Sequence, residues 1–439
     1  MGVFFGTDGL RGVVNEDLSF DVAYKCGNAL SSLKQNPTVL IGRDTRVSGE
    51  YLTLAVASGA MSGGAHVIDL GIIPTAGVAY LTKLLGADYG VVISASHNSK
   101  EYNGIKIFNK DGYKLGDKEE ERIERHFIRE KVNDFPHVGS FKQEFNLAKK
   151  YEDFLVKCSA NRLEGLTVVL DGANGAACRI APAVFRKLGA SVVASNCNDD
   201  GLKINENCGA LYPNALAGKI KRYKADLGFS FDGDADRLMV VDEKGKVIDG
   251  DMIVYMLAKY FKEQGKLNHD TAVGTSHTNM AIENALKTHG IQFIRTDIGD
   301  KYVLAKLVEK GLSLGGEQSG HVILKDLHTT GDGILTAIAV ANMLIDKKAK
   351  ICDLFDVTPY PQTNVNVVVA DKLKIMNSQA VAGEVSRLQV EMGGAGRIMV
   401  RASGTEPKIR VMVESEDEKR NRQYADELVA LIKKTDETA

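Results

Sequence analysis

The sequence predicts an α/β protein: three similar mixed-sheet α/β domains plus a smaller C-terminal α+β domain around a central cleft. Three observations predict it. An order of strand, helix, strand, polar loop, hairpin and helix headed by Gly-Asp recurs three times along the chain. Pro359-Tyr360-Pro361 then interrupts the pattern with two of the chain's eight prolines, as a linker would. The composition, 44% hydrophobic and 26% charged over 439 residues, is that of an ordinary globular chain, and its length alone suggests roughly three domains. The expected domains are 1–150, 151–247, 248–361 and 362–439.

In the first unit, 38–42 is β-branched and apolar and reads as a buried strand. A helix over 49–63 follows, then a strand at 66–70 and another at 88–93 that runs into Ser94-Ala95-Ser96-His97-Asn98. Residues 105–108 and 113–115 flank Asn109-Lys110-Asp111-Gly112, a hairpin signal. Asp117 is the expected N-cap of a charged helix. The second unit repeats this with a strand at 167–170, a helix over 175–188, a strand at 191–193 and an apolar run at 227–231. That run leads into Asp232-Gly233-Asp234-Ala235-Asp236-Arg237, and Gly250-Asp251 heads the next helix. The third has strands at 271–274 and 292–294, a helix over 278–288, a loop at 315–321 and Gly331-Asp332 before a helix over 333–344. The final segment shows strands near 364–369, 397–401 and 408–413 and a helix over 418–433.

Net charge is −2 with no long basic run, which argues against nucleic acid or an anionic membrane as partner. Cysteines 26, 158, 178, 197, 208 and 352 show no Cys-x-x-Cys pairing, so reduced thiols are expected rather than zinc or disulfides. No basic segment leads into an apolar core near the N-terminus, and no apolar stretch is long enough to span a bilayer. A cytoplasmic protein is expected.

In α/β folds ligands collect at the C-terminal ends of sheet strands, so the repeat supplies three loops: 94–98, 232–237 and 315–321. Asp232, Asp234 and Asp236 repel one another unless a cation lies between them, and a hard cation such as Mg²⁺ fits oxygen ligands. A calcium loop is excluded, because its sixth position needs Gly and here holds Arg237. Ser96, with His97 beside it, is the candidate covalent centre and the expected site of modification by a phosphoryl group. Glu317 and Ser319 pair an acceptor with a donor at a spacing that suits vicinal sugar hydroxyls, and His321 titrates near neutrality as an acid or base would. Residues 401–410 read as a phosphate cradle: Arg401 and Arg410 supply charge, while Ser403, Gly404 and Thr405 supply hydroxyls and backbone N–H groups. The Gly-rich loop 6–12 carries Arg11 but lacks the Gly-Lys-Ser/Thr of a nucleotide P-loop.

Together these motifs resemble the α-D-phosphohexomutase superfamily over nearly the whole chain, most closely its bacterial glucosamine-phosphate branch. The resemblance rests on 5–12 (FGTDGLRG), 42–49 (GRDTRVSG), 93–98 (ISASHN), 171–175 (DGANG), 231–237 (FDGDADR), 315–321 (GGEQSGH) and 401–407 (RASGTEP). It implies that Ser96 carries the phosphoryl group and joins Asp232, Asp234 and Asp236 on Mg²⁺. Arg11, His97, Lys106 and Arg237 would surround the transferred group. Glu317 and Ser319 would meet the sugar, and Arg401, Ser403, Gly404, Thr405 and Arg410 its non-reacting phosphate. The implied reaction interconverts glucosamine 6-phosphate and glucosamine 1-phosphate through a 1,6-bisphosphate. Glucosamine or glucose 1,6-bisphosphate would be the activator, and a small sugar phosphate the partner of a monomer or homodimer. A phosphomannomutase or phosphoglucomutase, an Asp232-dependent phosphatase and a non-catalytic sugar-phosphate sensor are the competing readings. Two positions depart from the superfamily pattern: Ser99 stands where Pro is usual, and Asp297 where Lys is common.

Overall fold

The computed structural model describes residues 5–6, 9–127, 137–403 and 407–437. The chain divides into two units, one of residues 1–277 and 289–355 and one of 278–288 and 356–439.

The larger unit contains three sheets, and the same four-strand order runs through each. In the first, Tyr102–Asn109, Tyr89–Ile93, Thr38–Arg43 and His66–Ile72 are adjacent in that order. In the second the order is Leu238–Asp242, Leu227–Phe231, Thr167–Asp171 and Ser191–Ser195. In the third it is Val322–Leu324, Leu314–Gly316, Thr271–Thr275 and Gln292–Thr296. The first strand of each set is antiparallel to the second, and the other pairs are parallel. Tyr89–Ile93, Leu227–Phe231 and Thr271–Thr275 are buried at every residue, which is why they read as unbroken apolar runs rather than alternating ones.

Parallel neighbours cannot be joined by a tight turn and need a crossover segment. The first crossovers are the helices expected from sequence, Ser48–Ser62, Ala177–Lys187 and Met280–Thr288. The second crossovers, Thr75–Leu85, Ala217–Tyr223 and Asp300–Lys310, were not separated from their surroundings by sequence reading. Helix Phe20–Leu33 packs on Ser48–Ser62 with backbones nearly touching: a Cβ at Gly27 would lie 2.0 Å from the Val56 carbonyl oxygen, and one at Gly59 1.9 Å from that of Tyr24.

The smaller unit has a three-stranded antiparallel sheet in the order Gln362–Val368, Lys408–Ser415, Gly396–Ala402. Helices Gln379–Met392 and Glu418–Glu437 cover it with a core that includes Leu388, Ile409, Val411, Val413 and Leu428. Helix Met280–Thr288 is drawn into this unit through Glu414, whose buried carboxylate accepts the Met280 N–H at 2.5 Å. Among the described residues no helix is long and apolar enough to cross a membrane, and the six cysteines are free thiols.

The hairpin expected at 105–115 turns at 109–112 and pairs back through the Asn109 N–H to the Tyr113 carbonyl at 2.7 Å and the Leu115 N–H to the Ile107 carbonyl at 3.0 Å, its second arm reduced to a single bridge, Phe108 to Lys114. The three Gly-Asp pairs do not share a role. Asp117 is the first residue of its helix and pairs with Lys301 at 2.9 Å, and Asp251 lies inside a helix capped by Asp249. Asp332 alone is a cap: it accepts from the Leu335 N–H at 2.9 Å and from the Tyr151 hydroxyl at 2.8 Å. A dipeptide recurs easily, but the cap needs extended backbone at the Asp itself.

Burial pushes the Asp332 carboxyl from its ordinary 3.8 up to about 6. A carboxyl that holds its proton more tightly when folded stabilises the fold below the unfolded value and loses that contribution as pH rises through the folded one. Between pH 4 and 7 this amounts to at most about 3 kcal/mol. The Asp332→Asn variant keeps an acceptor for the Leu335 N–H and turns an amide N–H toward the Tyr151 oxygen, which can accept it, so its urea midpoint at pH 7 is expected to equal or exceed wild type. The wild-type advantage gained on acidification to pH 5 is expected to vanish in the variant; an identical pH profile for the two proteins would refute this account.

Candidate active site

Strand Tyr89–Ile93 ends in the loop 94–98, where Ser96 adopts a left-handed φ of 53° that Ser rarely takes. The loop is held there by a buried network. Asp44 accepts from the Ser94 hydroxyl at 2.6 Å, and Ser94 Oγ accepts the Ser96 N–H at 2.9 Å. Arg46, fully buried and paired with Asp44 at 3.0 Å, donates to the carbonyls of Ser96, Asn98 and Tyr102 at 3.1, 2.7 and 2.9 Å and also to that of Ser99.

This geometry aims the Ser96 hydroxyl across to the second sheet. It donates to Asp232 Oδ2 at 2.6 Å, and His97 Nδ1 lies 3.4 Å from Ser96 Oγ. Asp232, Asp234 and Asp236 are all buried, and one oxygen from each lies within 4.8 Å of the others. Lys106 reaches in from strand Tyr102–Asn109 to bond Asp234 at 2.8 Å and Asp236 at 3.1 Å, with 1% of its surface exposed. Thr75 heads its helix and donates its hydroxyl to Asp234 at 2.6 Å and its N–H to the Asp234 carbonyl at 3.0 Å.

Charge is the organising fact here. Burial first, then Asp236 and Asp234, push Asp232 up to about 8. Burial also works against charge on Asp236, but Lys106, His321 and Arg237 outweigh it and hold that carboxyl well below its usual range. Asp234 Oδ1 and Asp236 Oδ1 are buried with no hydrogen-bond partner. Three convergent carboxylates with two bare oxygens fit a hard divalent cation such as Mg²⁺. Burial, then Arg237 and Arg11, push His97 down to about 3, so it is neutral near pH 7 and faces Ser96 as an acceptor or a neutral donor.

The third sheet contributes His321 and Glu317. His321 Nδ1 is 3.7 Å from Asp236, and its Nε2 is 3.5 Å from Asp300 and accepts the Gly331 N–H at 3.2 Å. That last bond assigns the ring proton to Nδ1, facing Asp236. Burial works against charge on the ring, and the two aspartates outweigh it and raise its pKa. Asp300 is also held by Lys114 at 2.5 Å. Glu317 accepts the Gly299 N–H at 3.1 Å, and burial raises its pKa. Ser319 Oγ is buried with no partner. Arg11 donates to Asn98 Oδ1 at 3.5 Å, and Arg237 lies 3.9 Å from Asp236.

The structure thus brings Ser96, His97, Lys106, Asp232, Asp234, Asp236, Arg237 and His321 into one contiguous network. Arg401, Ser403 and Arg410 lie in the smaller unit, where Arg401 and Arg410 are direct partners across the antiparallel pair. Burial and the Arg410 charge lower the Arg401 pKa, and Arg401 Nε is buried with no partner. Gly404 and Thr405 lie outside the described residues. Asp297 is exposed just past strand Gln292–Thr296. Sequence reading missed Thr75, Asp44, Ser94, Asn205 and the Lys114–Asp300 pair. Each of these has a partner at least 50 residues away, and no spacing rule reaches that far.

A buried hydroxyl hydrogen-bonded into an acid cluster that fits a divalent cation defines a class of centre suited to phosphoryl chemistry. Comparison with known proteins narrows the class. Four family models match in chain order: phosphoglucomutase/phosphomannomutase domain I at 2–134, domain II at 148–245, domain III at 249–360 and the C-terminal domain at 365–431. The chain belongs to the phosphoglucomutase/phosphomannomutase family. It is 45% identical to the phosphoglucosamine mutase of Caldanaerobacter subterraneus subsp. tengcongensis, covering 99% of each chain. It is 44% identical to that of Clostridioides difficile over 98% of this chain and 99% of the other. A family member from Burkholderia thailandensis superposes with a TM-score of 0.83 at 25% identity, covering 100% of this chain and 98% of that one.

Removing Lys106 leaves two buried carboxylates without their ammonium partner, a loss of about 3–5 kcal/mol. The Lys106→Met variant is expected to melt well below wild type in EDTA and to recover part of the difference in millimolar Mg²⁺, since a cation then neutralises the same oxygens. Equal deficits with and without Mg²⁺, measured by thermal unfolding, would show that no cation binds the cluster.

Proposed function

We propose that this protein interconverts glucosamine 6-phosphate and glucosamine 1-phosphate through a phosphorylated Ser96 and a glucosamine 1,6-bisphosphate intermediate. The observation that carries this reading is the 2.6 Å hydrogen bond from Ser96 Oγ to the buried acid cluster, in a chain whose full-length relatives are named phosphoglucosamine mutase. On this reading Asp232, Asp234, Asp236 and the Ser96 phosphoryl group hold Mg²⁺, which would offset negative charge on the phosphoryl oxygens. Lys106 pairs with Asp234 and Asp236 and fixes both carboxylates. Arg11 and Arg237 supply positive charge to the moving group, and His97 and His321 are the proton-handling candidates.

Glu317 and Ser319 would take the sugar hydroxyls; the unpartnered Ser319 Oγ supports this. Arg401 and Arg410 are cross-strand partners and Arg401 Nε has no hydrogen-bond partner, which supports a phosphate cradle of Arg401, Ser403, Gly404, Thr405 and Arg410. The domains are read as 1–150, 151–247, 248–361 and 362–439, and the bisphosphate turns over before the second transfer. Glucosamine or glucose 1,6-bisphosphate would charge the enzyme. The six free thiols suit a reducing cytoplasm.

Incubation with glucose 1,6-bisphosphate is expected to add one phosphoryl group to wild type by intact mass and none to Ser96→Ala. Mutase activity is expected to fall at least about 1,000-fold in that variant. Net release of inorganic phosphate with activity surviving in Ser96→Ala would establish a phosphatase instead. Competition among glucosamine, mannose and glucose 6-phosphates is expected to favour the amino sugar, and preference for either other hexose would move the chain to the phosphomannomutase or phosphoglucomutase reading.

A further inference from the structure

Asn205 belongs to neither the acid cluster nor the serine loop, yet it joins them. It sits in the loop after strand Ser191–Ser195 and is 7% exposed. Its side-chain amide donates to the carbonyls of Ser96 at 2.9 Å and Asn98 at 3.0 Å. These are two of the carbonyls that Arg46 also holds, so each oxygen is bound from both sides. Arg46 comes from the same sheet as Ser96; Asn205 comes from the second.

The other end of Asn205 is tied to the acid loop. Its N–H donates to the Ala173 carbonyl at 3.0 Å. Ala173 lies in the turn 171–175, three residues before Ala176, whose N–H donates to the Gly233 carbonyl at 2.8 Å. Gly233 sits between Asp232 and Asp234 and is pressed against the serine loop: a Cβ there would meet the Ser96 oxygen at 2.6 Å and Asn205 Nδ2 at 3.0 Å. Thr45 ties the same turn back to the first sheet by donating to the Asn174 carbonyl at 2.6 Å. Asn205 thus closes a hydrogen-bonded ring that runs from Ser96 through the turn 171–175 to the acid loop.

We infer that Asn205 is a positioning residue for phosphoryl transfer: it fixes the height of the left-handed Ser96 against Asp232, Asp234 and Asp236 without touching the hydroxyl or the carboxylates. The inference rests on the reading that Ser96 carries the phosphoryl group. The physical grounds are specific. Arg46 alone leaves one lone pair on each carbonyl unfilled but keeps the loop folded on its own sheet. Loss of Asn205 therefore costs little stability, yet it frees the serine loop to shift relative to the second sheet. In-line transfer is sensitive to shifts of that kind.

Two variants test this. Asn205→Asp keeps the shape and tolerates the observed φ of 59°, but has no amide protons. Asn205→Gly accepts the same φ and adds no charge. The readouts are the rate at which glucose 1,6-bisphosphate loads a phosphoryl group on Ser96, followed by quenched intact mass, together with kcat, KM and the thermal midpoint. Both variants are expected to load about 10- to 30-fold more slowly, with kcat falling in step. KM should stay within about threefold of wild type, because contacts to the sugar are unchanged. Wild-type loading in both variants overturns the inference. So does loss in Asn205→Asp alone, which assigns the effect to added charge, and so does loss that tracks the unfolded fraction. If wild type itself loads nothing, the phosphoserine reading falls and this inference falls with it, whereas normal wild-type loading with normal variants sinks the inference alone.

Discussion

Three buried carboxylates within reach of one another form the constraint on which the rest of this site depends. One ammonium, from Lys106, is built permanently into the cluster and leaves two negative charges unbalanced when all three acids ionise. A divalent cation restores neutrality, and without it Asp232 keeps its proton to about pH 8. A phosphoryl dianion added at Ser96 reintroduces two negative charges, and Arg11 and Arg237 supply two positive ones in the same neighbourhood. Both guanidiniums also hold His97 neutral. On the proposed reading the site would therefore move a highly charged group through a buried space while net charge stays close to zero. In that environment imbalance is expensive, because water is not there to screen it.

The fold makes this possible by repetition. Each of the three sheets in the larger unit presents an equivalent strand, Tyr89–Ile93, Leu227–Phe231 and Leu314–Gly316, with its C-terminal end open to a loop. Parallel neighbours and helical crossovers cover both faces of the strand, so the loop at its end is the free place for polar chemistry. One architecture used three times delivers a hydroxyl, an acid cluster and a Glu-Ser-His set with different side chains on the same scaffold. Lys106 and Lys114 come from the stretch that follows the first site strand, and they reach acids on the second and third sheets. Contacts of this kind link the first sheet to acids just past strands of the other two.

Sequence reading reached the elements whose signal is local. Fully buried strands announced themselves as apolar runs, and the acid triplet and Ser-His pair stood at their ends. It failed where the determinant is long-range. Residues 75–85 form a helix because His66–Ile72 and Tyr89–Ile93 flank Thr38–Arg43 in parallel, which no property of the segment itself declares. The recurrent Gly-Asp pairs suggested three equivalent caps, but only Asp332 has the extended backbone and free N–H partner that capping requires. The braces of the serine loop were hidden for the same reason. Asn205 is 109 residues from Ser96 in sequence, and Thr75 is 159 from Asp234.

On the proposed reading the smaller unit meets a looser geometric demand. A reaction that transfers from one end of a sugar and then to the other must hold whichever phosphate is not reacting. Arg401 and Arg410, paired directly across two antiparallel strands, offer charge with little directional preference. Burial and the Arg410 charge beside it lower the Arg401 pKa. The centre around Ser96 makes the opposite demand: a fixed oxygen and a fixed acid cluster, braced through Arg46 and Asn205. Exact placement at the serine and tolerance at the arginines are complementary. A substrate that reverses its ends needs one centre that does not move and one contact that does not discriminate.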